Sequence, residues 1–109
     1  MDFLHITHTA SFYHFKTTGN KEEYDTVPYL TAIKIQLIPA SSEILATFPG
    51  VPSYSLHEIF TYEHTADIRN GDKLITTDSK EYIVRGEAKK VVTDILKYQE
   101  LVGEMVVGV

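Results

Sequence analysis

Short runs of alternating residues, each closed by a turn signal, recur along this chain and leave little room for anything but a small β fold. Ile6 to Phe15 reads ITHTASFYHF, rich in the β-branched and aromatic residues that suit a strand surface. Ile6, His8, Ala10, Phe12 and His14 share one face, and Thr7, Thr9, Ser11, Tyr13 and Phe15 share the other. An aromatic on each side predicts cover on both faces of the second half. Thr17 to Asp25 combines Gly19-Asn20 with charges and predicts a solvated hairpin loop. Val27 to Ile38 gives a second strand, in which Tyr29, Ile33, Ile35 and Leu37 alternate with Leu30, Ala32, Lys34 and Gln36. Pro39 ends it, having no N–H for the ladder.

Ser41 to Phe48 has the makings of about two helical turns, with Ser41 or Ser42 as cap and Ile44, Leu45 and Phe48 on one side. Pro49, Gly50 and Pro52 stop it. Leu56 to His64 reads as a strand, Arg69-Asn70-Gly71-Asp72 as a tight turn, and Lys73 to Thr76 and Lys80 to Arg85 as strands joined through Thr77-Asp78-Ser79. The last third reads two ways. Ala88, Val91, Val92, Ile95, Gln99 and Val102 follow a helical period from Glu87 to Val102, while Val91-Val92-Thr93 are β-branched and favour a strand. The sum is a mainly β, single-domain barrel or sandwich spanning 1–109, with about five to seven strands. A long loop separates the second strand from the third and has room for a short helix.

The residue types that carry chemistry are scarce or badly spaced. Cysteine is absent, which removes disulfides, thiolate nucleophiles and cysteine-based zinc sites. His8 and His14 share a face but lie about 20 Å apart along an extended strand, too far to converge on one metal ion. His5 faces the other way, and His57 and His64 fall on opposite faces. No Gly-x-Ser-x-Gly elbow or phosphate-cradling glycine loop occurs, and Glu22-Glu23 sit beside Lys21 where solvated charges are expected. The expectation is no enzyme, no cofactor and no metal. A formal charge of -5 argues against a basic nucleic-acid face. No stretch approaches the roughly 20 apolar residues that span a bilayer, so a soluble product with no membrane partner is expected.

Charge layout is the more informative pattern. Between Lys34 and Arg69 there is no Lys or Arg, while Glu43, Glu58, Glu63 and Asp67 fall inside. At its centre, Ser41 to Ser55 reads SSEILATFPGVPSYS, mostly small, apolar or hydroxylic and bent by prolines. An ordinary surface loop is the plain reading, and a loop facing a protein or a pore is the sharper one. At the end of the chain, Met105-Val106-Val107-Gly108-Val109 is apolar enough to extend the last strand or dock on a neighbour.

Five stretches in this order resemble one known family. They are His8-Thr9-Ala10, then Ile35-Gln36-Leu37-Ile38-Pro39-Ala40-Ser41-Ser42-Glu43, Asp67-Ile68-Arg69-Asn70-Gly71-Asp72-Lys73-Leu74, Lys80-Glu81-Tyr82-Ile83-Val84-Arg85-Gly86 and Leu96-Lys97-Tyr98-Gln99-Glu100-Leu101. Together they are similar, across nearly the full length, to the stopper or head-completion (head-closure) proteins of long-tailed bacteriophages and their prophage relatives. Two departures stand out. Family members often read Ile-Gln-Pro where Leu37 and Ile38 here precede Pro39, and Glu87 to Val92 replaces a looser polar connection.

The resemblance implies a small β-barrel that forms a homo-oligomeric ring below the portal-side adaptor protein, closes the DNA channel after packaging and offers the tail its docking surface. It implies a channel or gating loop of Ser41, Ser42, Glu43, Ile44, Leu45, Ala46, Thr47, Phe48, Pro49, Gly50, Val51, Pro52, Ser53 and Tyr54, meeting packaged double-stranded DNA by steric contact. The gate itself is read as Ile44 to Tyr54. Met105, Val106, Val107 and Val109 are a candidate docking tail. The implied partners are copies of the chain, the adaptor, and a tail terminator or tail completion protein. The implied location is the virion head-tail joint, after synthesis and assembly in the host cytoplasm. It also tips Leu96 to Val102 towards a strand. A tail terminator, another connector ring protein or a generic β-barrel interaction module would share these features.

Overall fold

The alternating runs pair edge to edge until the sheet closes on itself. In a computed structural model that describes residues 5–106, six strands form a closed antiparallel barrel in the order β1-β4-β5-β8-β7-β6. They are β1 (His8–Tyr13), β4 (Leu30–Pro39), β5 (Leu56–Thr61), β6 (Lys73–Thr76), β7 (Glu81–Val92) and β8 (Lys97–Met105). Two further strands, β2 (Phe15–Thr18) and β3 (Lys21–Tyr24), make a separate ribbon between β1 and β4. The one α-helix among the described residues, α1 (Ser42–Thr47), lies in the β4–β5 connection. Among the described residues no helix is long and apolar enough to cross a membrane.

Period-two positions fill the barrel. Ala10 and Phe12 from β1, Ile35 from β4, Ile59 from β5, Leu74 from β6, Tyr82 and Val84 from β7 and Leu101 from β8 form one buried cluster, joined by Ile68 from the β5–β6 connection. Full burial of a side chain such as Phe12 or Leu74 stabilises by about 2 kcal/mol. Gly103 leaves space within this interior: a Cβ there would lie 2.6 Å from Ile59 Cδ1 and 3.4 Å from Tyr82 Cβ. Gln99 is buried for a different reason, since its Nε2 donates to the carbonyls of Glu63 (2.9 Å) and Ala66 (3.3 Å) and so ties down the β5–β6 connection.

The last third, which read two ways, resolves to strand, as the resemblance implied for Leu96 to Val102, and other sequence expectations are corrected. Residues 87–102 form no helix. β7 runs on to Val92, and its far half pairs with β8 from Lys89↔Glu100 to Val92↔Lys97. The turn is closed by Thr93 N–H to the Leu96 carbonyl at 2.7 Å, and Thr93 Oγ1 accepts from Leu96 N–H at 2.9 Å. Cross-strand pairing and the β-branched run outweigh a helical period that arose from two antiparallel strands read end to end.

The stretch 17–25 is not a loop but most of a ribbon, in which Phe15↔Tyr24 and Lys16↔Glu23 pair and only Gly19-Asn20 turn. The first run accordingly breaks at His14, and the described residues hold eight strands in all. The strict alternation expected of residues 29–37 also fails. Ala32 adopts φ 55°, and the register slips from Ala10↔Ile33 to Phe12↔Leu30, so a bulge moves Leu30 onto the core side with Ile33. Lastly, β5 stops at Thr61 rather than His64, because the Thr61 hydroxyl turns to bond the Lys34 carbonyl and the Glu63 amide.

Candidate functional site

The loop singled out by its lack of cations spans residues 40–55 and starts and ends on paired strands. Ala40 N–H donates to the Leu56 carbonyl at 3.2 Å, closing the loop at its base. Ser41 N–H donates to Glu58 Oε2 at 3.1 Å, so one of the acidic groups of this region serves to pin the loop. Ser41 then caps α1, its Oγ accepting from Ile44 N–H at 3.4 Å, and Glu43 lies in the first turn, where a negative charge suits the helix dipole. The expected helix is therefore present, with Ser41 as the cap. Phe48 ends it, and Gly50 at φ 90° permits the reversal that Pro49 and Pro52 frame. A single 3-10 turn, Ser53–Ser55, returns the chain to β5, with Ser55 Oγ donating to the Pro52 carbonyl at 2.8 Å.

The loop has two sides. Ile44, Leu45, Phe48 and Val51 are half-buried, while Ser41, Ser42, Glu43, Ala46, Thr47, Pro49, Gly50, Pro52, Ser53 and Tyr54 are exposed. Ile44 lines a groove with Phe60, Leu101 and Val102, and Phe48 Cζ lies 3.7 Å from where a Cβ on Gly86 would sit. Gly86 itself, at φ 76°, opens a bulge in β7 where the register shifts between Arg85 and Lys89. In the single chain, then, the apolar side of the loop rests on its own barrel and the outer side is neutral to acidic.

The C-terminal residues lie close by. Met105 packs against the core, Val106 N–H donates to the Glu81 carbonyl at 2.9 Å, and Val106 is 41% exposed. Val107 and Val109 of the candidate docking tail lie outside the described residues. Pro52 and Tyr54 from the loop share a groove of about 340 Å³ with Ile83, Met105 and Val106, so two segments picked out separately in the sequence meet on one surface. Arg85 Nε donates to Glu104 Oε1 at 2.8 Å on the rim of that groove.

A second constellation was not singled out from the sequence. Asp72, 1% exposed, accepts from His14 Nδ1 (2.9 Å), the Tyr29 hydroxyl (2.9 Å), Phe15 N–H (3.2 Å) and Arg69 N–H (3.0 Å). The His14 and Tyr29 rings stack at 3.6 Å. Burial and then the bond to Asp72 push the Tyr29 phenol well above its ordinary value. Arg69-Asn70-Gly71-Asp72 is the turn expected, with Gly71 at φ 93°. Its last residue also anchors the ribbon to the barrel end. One signal was available: Asp72 has the parity of Leu74 and Thr76, which face inward.

His8, His57 and His64 each have a partner of their own. His8 Nδ1 pairs with Thr7 Oγ1 at 2.8 Å, His57 meets the edge of Tyr82 at 5.4 Å, and His64 Nδ1 lies 3.3 Å from the Tyr62 carbonyl. Among the described residues no group of three His, Asp or Glu side chains is placed to hold a metal ion.

No family model and no curated protein matches the chain. A solved structure does: the phage-like element PBSX protein xkdH from Bacillus subtilis, at 18% identity and a TM-score of 0.57, over 90% of this chain and 92% of that one. At that identity the likeness is one of fold, and it extends over nearly the whole of both chains.

Proposed function

We propose that this chain is a structural protein of the phage head-to-tail joint, and within that class a stopper: a ring of copies below the portal-side adaptor that closes the channel on packaged DNA and receives the tail. The carrying observation is the loop 40–55, anchored at its base by the Ala40–Leu56 and Ser41–Glu58 bonds and without a cation on its exposed side. Support also comes from the order of the five matching stretches and from the fold shared with a protein of a phage-like element.

The physical logic runs through phosphate binding. Each lysine or arginine placed against DNA releases counterions and adds affinity, so a cationic plug would grip the duplex and oppose ejection. A neutral to acidic loop obstructs by volume alone and lets go when it swings aside. Half-buried Ile44, Leu45, Phe48 and Val51 give the loop an apolar side that can rest on its own barrel or pack on an adjacent copy once a ring has closed. No bond is made or broken in this role, so it needs no catalytic group and no cofactor. The tail terminator or completion protein would approach the face distal to the adaptor.

The test replaces Ile44–Tyr54 by a short Gly-Ser connection in the phage or prophage that carries the gene. Heads should assemble and fill, then lose DNA before tails join. Heads that keep their DNA as well as the parent would overturn the assignment of the gate.

A further inference from the structure

The β7–β8 hairpin runs past the wall of the barrel. β6 pairs with β7 only at Glu81 to Ile83, and β5 pairs with β8 only as far as Gln99, so beyond Lys90↔Gln99 the two strands have only each other. Val92↔Lys97 is the last pair, and Thr93 to Leu96 make the turn. At this tip Ile95 is 96% exposed and Val92 58%. Lys97 stands across from Val92 and makes no ion pair among the described residues.

A groove on the outer wall matches the tip. Its floor is Ile44 of α1 with Phe60, Leu101 and Val102, and its volume of about 180 Å³ has room for one branched aliphatic side chain. Its rim carries Glu58, Glu87 and Glu100 against one cation, Lys89. Three other grooves have no such excess: Asp67 and Glu87 are matched by Arg69 and Lys90 in one, Glu104 by Arg85 in another, and the third holds no charged side chain. A surplus of carboxylates around an apolar floor suits an apolar group with a cation beside it.

Of the large apolar side chains exposed among the described residues, those at the tip meet that description. Lys16 beside Phe15 is tied to Asp25 at 2.8 Å, and Val27, Tyr54 and Val106 have no lysine or arginine near them in the sequence. A copy's own tip is out of reach, because Ile95 stands roughly 20 Å along extended chain from Leu101. Tip against tip would set Lys97 opposite Asp94 on each side, but that contact closes as a dimer and leaves both grooves open. Groove against groove would face carboxylates with carboxylates. Tip into groove is heterologous, one surface meeting a different one on the next copy, which is the contact that a ring of more than two copies requires.

We propose that the β7–β8 tip of each copy seats in the groove between α1 and the barrel of the next, with Ile95 on Ile44, Phe60 and Val102 and Lys97 among the three rim carboxylates. The proposal rests on the ring reading above and names the surfaces that join in it. It also puts each junction beside the gate, since Ile44 forms one wall of the groove.

The chain has no cysteine, so single thiols introduced into the full chain report which surfaces meet. Thr93→Cys marks the tip and leaves Asp94 and Lys97 in place, and Glu87→Cys marks the groove rim; both positions are exposed. A one-to-one mixture treated with a short bismaleimide at rising protein concentration should give about tenfold more cross-linked dimer than either variant alone. Adding Ile95→Asp to the Thr93→Cys copy should cut that yield about tenfold while the barrel's thermal midpoint stays the same. The proposal is overturned if the mixture yields no more than the separate variants, if no cross-link forms at any concentration, or if Ile95→Asp leaves the yield unchanged. A strong cross-link from Thr93→Cys alone would mean tip-to-tip dimers, and one from Glu87→Cys alone groove-to-groove dimers; either overturns it. Filled heads separate this proposal from the reading it rests on. Rings and DNA retention unaffected by Ile95→Asp sink the tip contact alone, whereas the expected cross-links together with heads that keep their DNA without this chain sink the stopper alone.

Discussion

Asp72 ties together segments that lie far apart in the chain: His14 and Phe15 after β1, Tyr29 before β4, and Arg69 in the turn before β6. Removing its carboxylate takes the acceptor from two backbone N–H groups, the Tyr29 hydroxyl and the His14 ring. Asp72→Ala should therefore cost about 3 kcal/mol in a denaturant titration, and Asp72→Asn, which keeps one acceptor, distinctly less. Tyr29 adds a pH dependence of definite sign. Its phenol is raised above the ordinary 10.0, so folded chain holds a proton that unfolded chain releases above about pH 10. The contribution is complete below that pH and declines above it. Stability should fall as pH climbs past 10, and Tyr29→Phe should flatten that slope; an unchanged slope would contradict the assignment. The turn at Asn70-Gly71 was legible because its residue types demand it. The second role of Asp72 was not, because its partners His14 and Tyr29 are set by tertiary pairing.

Among the elements, α1 was readable because its signals are local: a serine cap, apolar spacing and a proline stop. The boundaries of β6 were readable for the same reason. β7 and β8 were ambiguous because strand identity there depends on the partner across the ladder, and apolar residues from two strands mimicked one helical face. β8 also shows packing that no local rule reveals. Gly103 faces Ile59 so closely that Gly103→Ala should destabilise by about 2 kcal/mol, and adding Ile59→Val, which deletes the clashing Cδ1, should recover much of it. A double variant no better than the single would refute the contact. The loop 40–55 behaves as an excursion: α1 holds no fully buried residue, so excising Ile44–Tyr54 should leave the cooperative unfolding of the barrel nearly intact by calorimetry.

At the scale of the molecule the closed barrel is a rigid frame, about 45 × 30 × 25 Å with its excursions included. The ribbon, the loop and the β7–β8 tip, where Ile95 is 96% exposed, all leave that frame. Mainly β architecture, the long loop and its helix could be read from pattern. The ribbon could not, since Gly-Asn among charges signals a turn but not the length of the strands flanking it. On the stopper reading proposed above, such a frame would carry the ring and the loop would exchange its packing on the barrel for a neighbouring copy. The most direct measurement is electron microscopy of filled, tail-less heads purified with and without this chain. The account predicts that its presence adds a ring below the portal whose channel is narrowed by residues 41–54. Heads with no such ring, with this chain found on the tail tube instead, would contradict it.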